Sequence, residues 1–360
     1  MKLIKPRFYD DFICIAERCT DNCCIGWEID IDPVSLERFD KVGGEFGERL
    51  RAAIHRRDDV CTFAFGEGER CALLREDGRC ELILHEGEDS LCDICALHPR
   101  YFGWYNGIKE AGLGLCCEEV CRLMFADRAP LTFTESEIGE EWEENCSEEL
   151  LQYLIAARAR LFSILQNREH SFADRLVSAA DFVRAVQECL DNGELNIPDI
   201  QLSQAEKPET CNIAAVIKGL IHLWNRTESI GAEWDAHAER IEANCEQLAA
   251  AFGGFLEKSS EEMWRYEHLA VYFCYRYFLN GVFEGEIVSR FGFAIMSMLA
   301  VALSDCLSDI DGCLTDWQRI LNLKLYSKQM EYSEDNLELA YDAVWDTAWL
   351  VPENIADCFA

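Results

Sequence analysis

The amino-acid sequence predicts an α+β protein that is predominantly α, with a small cysteine-rich, metal-binding N-terminal region containing short strands, followed by a helical C-terminal domain. Three observations lead to this prediction. Nearly half of the 360 residues are hydrophobic and only seven are proline, which is typical of compact, helix-rich proteins. Twelve of the 20 cysteines lie within the first 121 residues, whereas the long segments after residue 150 repeat apolar residues at helical spacing. Because the chain is long for one core, we expect two domains, residues 1–130 and 131–360.

Short elements are predicted in the N-terminal region. Residues 27–31 alternate apolar and acidic side chains, which indicates a half-buried strand. Asp32 followed by Pro33 has the character of an N-cap and a first helical residue, so a helix should run from there to about Lys41.

A hairpin is predicted around Asp77–Gly78, because this pair separates two apolar runs. A two-residue turn would place Cys80 opposite Arg75, four residues from Cys71 and roughly 13 Å away from it along the strand. One ion could not bind both thiols in that geometry. Either Cys71 precedes the strand on a bent segment, or the two thiols serve different metals, or one of them is structural.

The boundary between the two regions is marked by Thr134–Leu150, which carries eight carboxylates and no basic residue and is predicted to be a solvated connector or an exposed helix start. Helical periodicity begins at Leu150. Capping-box spacing at Ser171–Asp174 and at Ser259–Glu262 predicts two further helix starts.

The charge and the apolar runs restrict the classes of partner. With 33 basic and 67 acidic residues, the formal charge of −34 disfavours nucleic acid and favours cationic partners. The longest apolar run, Phe291–Leu303, is shorter than the roughly 20 residues that cross a bilayer, so we expect a buried helix and no membrane association. Acidic residues interrupt the N-terminal segment where a signal peptide would be apolar, which predicts a cytoplasmic protein.

Dense cysteines in a chain without a secretion signal indicate metal binding rather than disulfides. If Cys19 begins a helical turn, its thiol shares a face with that of Cys23, and the two could hold one ion or cluster edge. Cys92 and Cys95 have the spacing of a chelating loop, and His98 lies within reach as a further candidate ligand. Four thiolates suit both zinc and iron-sulfur clusters, and the spacing favours the latter slightly.

The order and spacing of these cysteines resemble the flagellin lysine-N-methylase family, whose cysteine-rich region belongs to the zinc- or iron-chelating CxxCxxCC domains. The resemblance rests on Cys14-x4-Cys19-x3-Cys23-Cys24, on "LCCEEVCRL" around Cys117, and on the aromatic segment Arg265–Phe278. The positions that match the family pattern, and are therefore candidate metal ligands, are Cys14, Cys19, Cys23, Cys24, Cys71, Cys80, Cys95 and Cys117. Four further cysteines are additional in this chain: Cys61, Cys92, Cys116 and Cys121.

The resemblance implies methyl transfer from S-adenosylmethionine to lysine side chains of flagellin, with a four-iron four-sulfur cluster favoured over zinc. The glycines of Val42–Leu50 and Ala111–Cys117 do not lie between a strand and a helix as in a Rossmann-type cofactor site. The sequence therefore assigns no residue to adenosylmethionine binding and no catalytic base. Two other functions stay open, an iron-sulfur redox or electron-transfer protein and a zinc-stabilised protein-interaction module.

Overall fold

A computed structural model describes residues 1–26, 28–57, 60–66, 68, 70–200, 202 and 212–360. The described part of the chain is mostly helical, with a few short strands confined to its first 137 residues and helices throughout the C-terminal part. The predicted fold class is therefore confirmed.

A small module occupies roughly residues 20–98 and has its own hydrophobic core. It contains α1 (Pro33–Asp40), α2 (Gly44–Ala52), the antiparallel pair β2 (Ile54–Arg57) and β3 (Val60–Phe63), α3 (Glu81–Glu86) and α4 (Asp93–Leu97). Its core is formed by buried apolar side chains of these elements and of the segment before α1, including Ile29, Phe39, Leu50, Phe63 and Leu82. Cysteines make up a substantial part of the same core.

The first helix of the module begins as the sequence predicts. The Asp32 side chain accepts a hydrogen bond from the Ser35 amide (2.8 Å), and Pro33 is the first helical residue. The preceding segment forms only an isolated bridge, although Ile29 and Ile31 are buried and exchange backbone hydrogen bonds with β3. Position 27, the first residue of the predicted strand, lies outside the described residues.

A four-stranded sheet connects the chain's N-terminus to residues 100–137. Its order is β4 (Arg100–Tyr105), β5 (Ile108–Leu113), β1 (Lys2–Pro6) and β6 (Phe133–Glu137). Neighbouring strands are antiparallel except for β5 and β1, which are parallel and pair Leu3 with Lys109. The predicted acidic connector therefore begins as an exposed edge strand, because β6 covers its first residues.

The remaining chain is a helical body. Its elements are α5 (Glu118–Met124), α6 (Glu148–Leu165), α7 (Phe172–Asp191), α8 (Ile213–Trp224), α9 (Ala232–Ala243), α10 (Cys245–Lys258), α11 (Met263–Tyr277), α12 (Gly281–Glu284), α13 (Val288–Ile310), α14 (Asp316–Glu331), α15 (Glu334–Asp346) and α16 (Pro352–Asp357). One large core extends from Phe12 through the sheet to Phe359. The N-terminal sheet thus packs with the helices, and a division of the chain near residue 130 stays a prediction.

The centre of this body is α13, which contains the apolar run that the sequence singles out. The helix is long and apolar enough to cross a membrane by length and composition, but its residues from Val288 to Ser308 are all buried inside the protein. It packs against α11, α14 and α15. The predicted buried helix is confirmed.

Buried ion pairs attach the sheet to the helices and the helices to one another. Arg158 on α6 donates a hydrogen bond to the Glu110 carboxylate on β5 (2.9 Å) and another to the Tyr275 carbonyl oxygen (3.0 Å). On α11 the fully buried Glu267 accepts hydrogen bonds from Arg175 (2.6 Å) and Arg168 (2.8 Å). Each charge is paired, as a buried charge must be.

We expect His237 on α9 to make stability decline as the pH falls from about 6.5 towards 4. Burial lowers the pKa of His237 to about 4, and its ring lies 2.9 Å from the Ser304 hydroxyl. The unfolded chain binds this proton near pH 6.5, so lower pH favours unfolding by at most about 3 kcal/mol. Urea unfolding of wild type and His237→Gln at pH 7 and pH 4.5 measures the effect.

The glutamine variant should lose less stability over this interval, because it keeps a hydrogen-bonding side chain that does not titrate. His222→Gln, at an exposed position on α8, is the control and should follow the wild type. Parallel behaviour of the His237 variant and the wild type would contradict the expectation.

Candidate metal centre

Three segments of the module bring six cysteines together beside its core. The Cys71 amide donates to the Cys24 carbonyl oxygen (2.8 Å), and a turn closed by the Leu74 amide and the Cys71 carbonyl oxygen (2.9 Å) reverses the chain. Leu74, rather than Arg75, then lies opposite Cys80. Cys71 therefore precedes the hairpin on a bent segment, and we call the set the first thiol group: Cys23, Cys24, Cys71, Cys80, Cys92 and Cys95.

The two cysteines with chelating-loop spacing, Cys92 and Cys95, belong to this group and lie at the start of α4. Cys92 is the buried residue just before the helix, and Cys95 lies in its first turn. The second carboxylate oxygen of Asp32 accepts a hydrogen bond from the Asp93 amide (3.0 Å), so the residue that caps α1 also fixes the start of α4. This contact holds Cys92 against the module core.

The thiols of the first group shift one another's pKa values. A hydrogen bond between Cys23 and Cys24 lowers the pKa of Cys23 and raises that of Cys24. A hydrogen bond between Cys92 and Cys95 likewise lowers the pKa of Cys92 and raises that of Cys95. Burial raises the pKa of Cys71 to about 11, and neighbouring thiols add to the rise. Several thiolates can coexist here only with a compensating cation.

The chemistry of this group fits a soft metal centre. None of the cysteines among the described residues forms a disulfide. As placed, no three His, Cys, Asp or Glu side chains in the described part of the chain meet at ion-binding distance. The thiols instead form two hydrogen-bonded pairs with Cys71 and Cys80 beside them, a donor set that suits zinc or an iron-sulfur cluster after side-chain rotation.

A second set of cysteines lies where the N-terminal loop meets α5. Thr20 donates from its amide (2.9 Å) and its hydroxyl (2.6 Å) to the buried Glu118 carboxylate, which brings Cys19 beside Cys117. Burial raises the pKa of both of these thiols to about 12. We call this set the second thiol group: Cys14, Cys19, Cys116, Cys117 and Cys121.

Between the two thiol groups, the module rests on α14 of the helical body. Asp21 accepts from the Lys328 ammonium (2.9 Å) and lies 3.3 Å from that of Lys324. Tyr332, just beyond α14, is hydrogen-bonded to Cys116 of the second group and lies close enough to Cys23 of the first for their charges to interact. The helical body thus contacts both groups at one place.

We expect Asp21→Asn to destabilise the protein by about 2 kcal/mol, because two largely buried ammonium groups would lose their counterion. Burial acts to raise the pKa of Asp21, but Lys328 and Lys324 outweigh it and hold the pKa below its usual range. Urea unfolding at pH 7 measures the loss. Asp10→Asn, which breaks an exposed pair with Lys5, is the control and should cost less than about 1 kcal/mol. Equal effects would contradict the expectation.

The eight cysteines predicted as ligands do not lie in one place. Five belong to the first thiol group (Cys23, Cys24, Cys71, Cys80 and Cys95) and three to the second (Cys14, Cys19 and Cys117). The chain is not helical between Cys19 and Cys23, so the predicted sharing of one helical face is wrong. Their role as ligands stays a prediction.

Two other residues near the first group bear on the sequence predictions. Cys92, which the family pattern treats as additional, lies inside the group, and its Cys-x-x-Cys spacing was the signal that could identify it. His98 packs edge-on against the Tyr332 ring, with centroids 6.5 Å apart. Burial lowers the pKa of His98 to about 4, so its ring is neutral at pH 7.

Comparison with known proteins gives one match. A family model described as the FliB lysine N-methylase C-terminal domain matches residues 158–351, which run from the middle of α6 to the residue before α16 and make up just over half of the chain. Searches of curated proteins and of solved structures found no match. The matched residues that the structure describes belong to the helical body, and the thiol groups precede them.

Proposed function

The chain belongs to the FliB lysine N-methylase family, and we propose that it is a cytoplasmic methyltransferase that uses S-adenosylmethionine to methylate lysine side chains of flagellin, with an iron-sulfur cluster on the first thiol group. The family match over the helical body is the observation that carries this proposal. The resemblance in the N-terminal cysteines, which lie outside the matched residues, supports it independently.

The reaction transfers one methyl group by displacement. The lone pair of the neutral lysine amine attacks the methyl carbon, the carbon–nitrogen bond forms as the carbon–sulfur bond breaks, and the electron pair goes to sulfur to give S-adenosylhomocysteine. The amine must lose its proton first, so the site needs a base or a desolvated environment that lowers the amine pKa. The formal charge of −34 favours the approach of cationic lysine side chains.

The first thiol group is the proposed ligand set for the cluster. Its six thiols exceed the four that a four-iron four-sulfur cluster uses, and they come from three segments of the module. When bound, the cluster would compensate the negative charge of the thiolates and link the three segments to one another. The residues of the module that surround it, with Asp32 fixing α1 and α4, hold the donors in place.

Coexpression with flagellin tests the function. We expect intact-mass and peptide mass spectrometry to find methylated lysines in flagellin only when the protein is present, and isothermal titration of the anaerobically purified protein to detect S-adenosylmethionine binding. Unmodified flagellin, with a metal-loaded and folded protein that does not bind S-adenosylmethionine, would refute the methyltransferase.

The metal content decides the cofactor separately. We expect the anaerobically purified protein to be brown and to contain iron and acid-labile sulfide. A colourless protein with stoichiometric zinc would refute the iron-sulfur cluster. The methyltransferase activity would then be decided by the flagellin experiment alone. It would also favour a zinc-stabilised interaction module if methylation were absent.

A further inference from the structure

A short acidic segment, residues 140–144, is held against the turn between β4 and β5. Just after it, the Asn145 amide donates to the side-chain oxygen of Asn106 in the turn (3.0 Å), and the Asn106 amide donates to that of Asn145 (2.9 Å). At its start, Glu140 accepts a hydrogen bond from the Lys109 ammonium on β5 (2.7 Å). Because both ends are attached to the same hairpin, the residues between them lie at a defined place on the sheet.

Three aromatic side chains share this hairpin. Trp142 packs on the turn, where a Cβ at Gly107 would lie 3.2 Å from its ring. Trp104 and Phe102 lie on one face of β4, with ring centroids 5.7 Å apart. About half of Trp104 (49 %) and of Trp142 (44 %) is exposed. Exposed aromatic rings that lie together, unlike apolar residues exposed singly, indicate an interaction surface.

The aromatic rings already bind one ammonium group of the protein itself. The Lys109 Nζ lies 5.0 Å from the ring centroid of Phe102 and 5.8 Å from that of Trp104. The same ammonium makes the ion pair with Glu140. An ammonium between aromatic faces and a carboxylate is held by cation–π attraction as well as by charge. The exposed parts of the indoles offer the same chemistry to a second cation.

Three carboxylates of the acidic segment have no cation beside them. Glu141, Glu143 and Glu144 are exposed, and none of them forms an ion pair with the described part of the chain. No basic residue occurs between Thr134 and Leu150. Like charges this close repel one another, so a cationic partner would relieve the repulsion.

We propose that these side chains form a docking surface for a lysine-bearing segment of the protein substrate. We call it the aromatic–acidic surface, and its members are Phe102, Trp104, Glu141, Trp142, Glu143 and Glu144. Lysine ammonium groups of the partner contact the free carboxylates, while the apolar stems of these lysines lie along the indoles. The identity of the partner rests on the proposed function. Because the surface binds substrate and takes no part in the chemical step, its loss raises KM and leaves kcat unchanged.

Binding measurements with matched variants test the proposal. Two triple variants each remove three exposed, unpaired carboxylates: E141Q/E143Q/E144Q from the aromatic–acidic surface and E233Q/E239Q/E242Q from α9. We expect the surface variant to bind immobilised flagellin about tenfold more weakly than the wild type, and to show a similar rise in KM, because three exposed charge pairs are lost. The α9 variant has the same net charge and should bind as the wild type does. Wild-type affinity in the surface variant, or an equal loss in the α9 variant, overturns the proposal.

The indoles are tested separately from the charges. Trp104→Ala and Trp142→Ala should each weaken flagellin binding about fivefold, the effect of an exposed cation–π contact. Trp317→Ala is the control, because Trp317 lies on α14 and is exposed to a similar extent (42 %). Unchanged affinity in both hairpin variants, or an equal loss in the control, overturns the proposal.

Cross-linking of the wild type needs no variant to fold. A carbodiimide joins a carboxylate to a lysine amine that it contacts, and peptide mass spectrometry locates the linked residues. We expect flagellin lysines to be linked to Glu141, Glu143 or Glu144. Links confined to other carboxylates overturn the proposal. Self-association of the wild type that is lost in the surface variant would assign the surface to a second copy of this chain, and overturns it as well.

A second probe separates this proposal from the proposed function. We expect a peptide of alternating lysine and serine to bind the wild type, the same peptide with acetylated lysines not to bind, and the lysine peptide to bind the surface variant more weakly than the α9 variant. Equal affinity for the two variants overturns the docking surface. Flagellin that is linked to these carboxylates but stays unmethylated refutes the methyltransferase and supports the surface. Methylated flagellin that binds the surface variant with full affinity refutes the surface alone.

Discussion

Replacing Cys71, Cys80 and Cys95 together by serine should abolish iron and sulfide binding and flagellin methylation. The first thiol group would retain only Cys23, Cys24 and Cys92, one thiolate fewer than the four ligands of a cubane cluster. The loss of activity should exceed the roughly 10–100-fold that removal of an outer-shell partner causes. Elemental analysis, the visible spectrum and the methylated fraction of coexpressed flagellin measure the result.

The matched control changes cysteines of the helical body. Cys189 and Cys245 lie on α7 and at the start of α10, outside both thiol groups, and their replacement by serine should leave iron, sulfide and methylation unchanged. A near-wild-type iron content in the variant that lacks Cys71, Cys80 and Cys95 would show that the cluster has other ligands. Methylation without iron would show that the cluster is dispensable for catalysis.

The module should lose stability when its metal is lost, because its own hydrophobic core is small. Its buried apolar side chains are few and include Cys71 and Cys92. For such modules the free energy of metal binding is part of the free energy of folding. Thermal unfolding of the triple variant should therefore lose the transition of the module, while the α-helical circular dichroism of the body is largely retained.

Local sequence signals predicted the parts of the fold that depend on neighbouring residues. The Asp32–Pro33 helix start and the Ser171–Asp174 capping box both occur as expected. The same spacing at Ser259 and Glu262 gives no capping box, because the Glu262 carboxylate binds Arg265 instead (2.8 Å). An arginine three residues further along the chain outweighed the capping preference.

The arrangement of the cysteines could be predicted only in part. Their density and the family pattern located the region, but the separation into two groups depends on contacts between distant residues. Thr20 and Glu118 are 98 positions apart, and Asp21 and Lys328 are 307 positions apart. No spacing rule connects Tyr332 with Cys116, so the contact between the thiol groups and α14 could not be inferred from the sequence.

In the helical body, we expect the largest loss of stability when the carboxylate at the end of α14 is replaced. Glu331 is buried, with 2 % of its side chain exposed, and lies 2.7 Å from the Arg276 guanidinium. It also accepts hydrogen bonds from the hydroxyls of Tyr277 (2.8 Å) and Tyr272 (3.3 Å). Arg276 in turn stacks on the ring of Tyr101 in β4, at 4.2 Å from its centroid. One carboxylate thus holds α11, α14 and the sheet together.

We expect Glu331→Ala to lower the free energy of unfolding by about 3 kcal/mol, because it leaves the largely buried Arg276 without a counterion and two phenols without their acceptor. Glu331→Gln keeps an acceptor oxygen and should cost less. Glu246→Ala, which breaks an exposed pair with Lys218, should cost less than about 1 kcal/mol. Urea unfolding at pH 7 compares the three variants, and a loss in Glu331→Ala no greater than in Glu246→Ala would show that the Glu331 carboxylate does not hold the sheet to the helices.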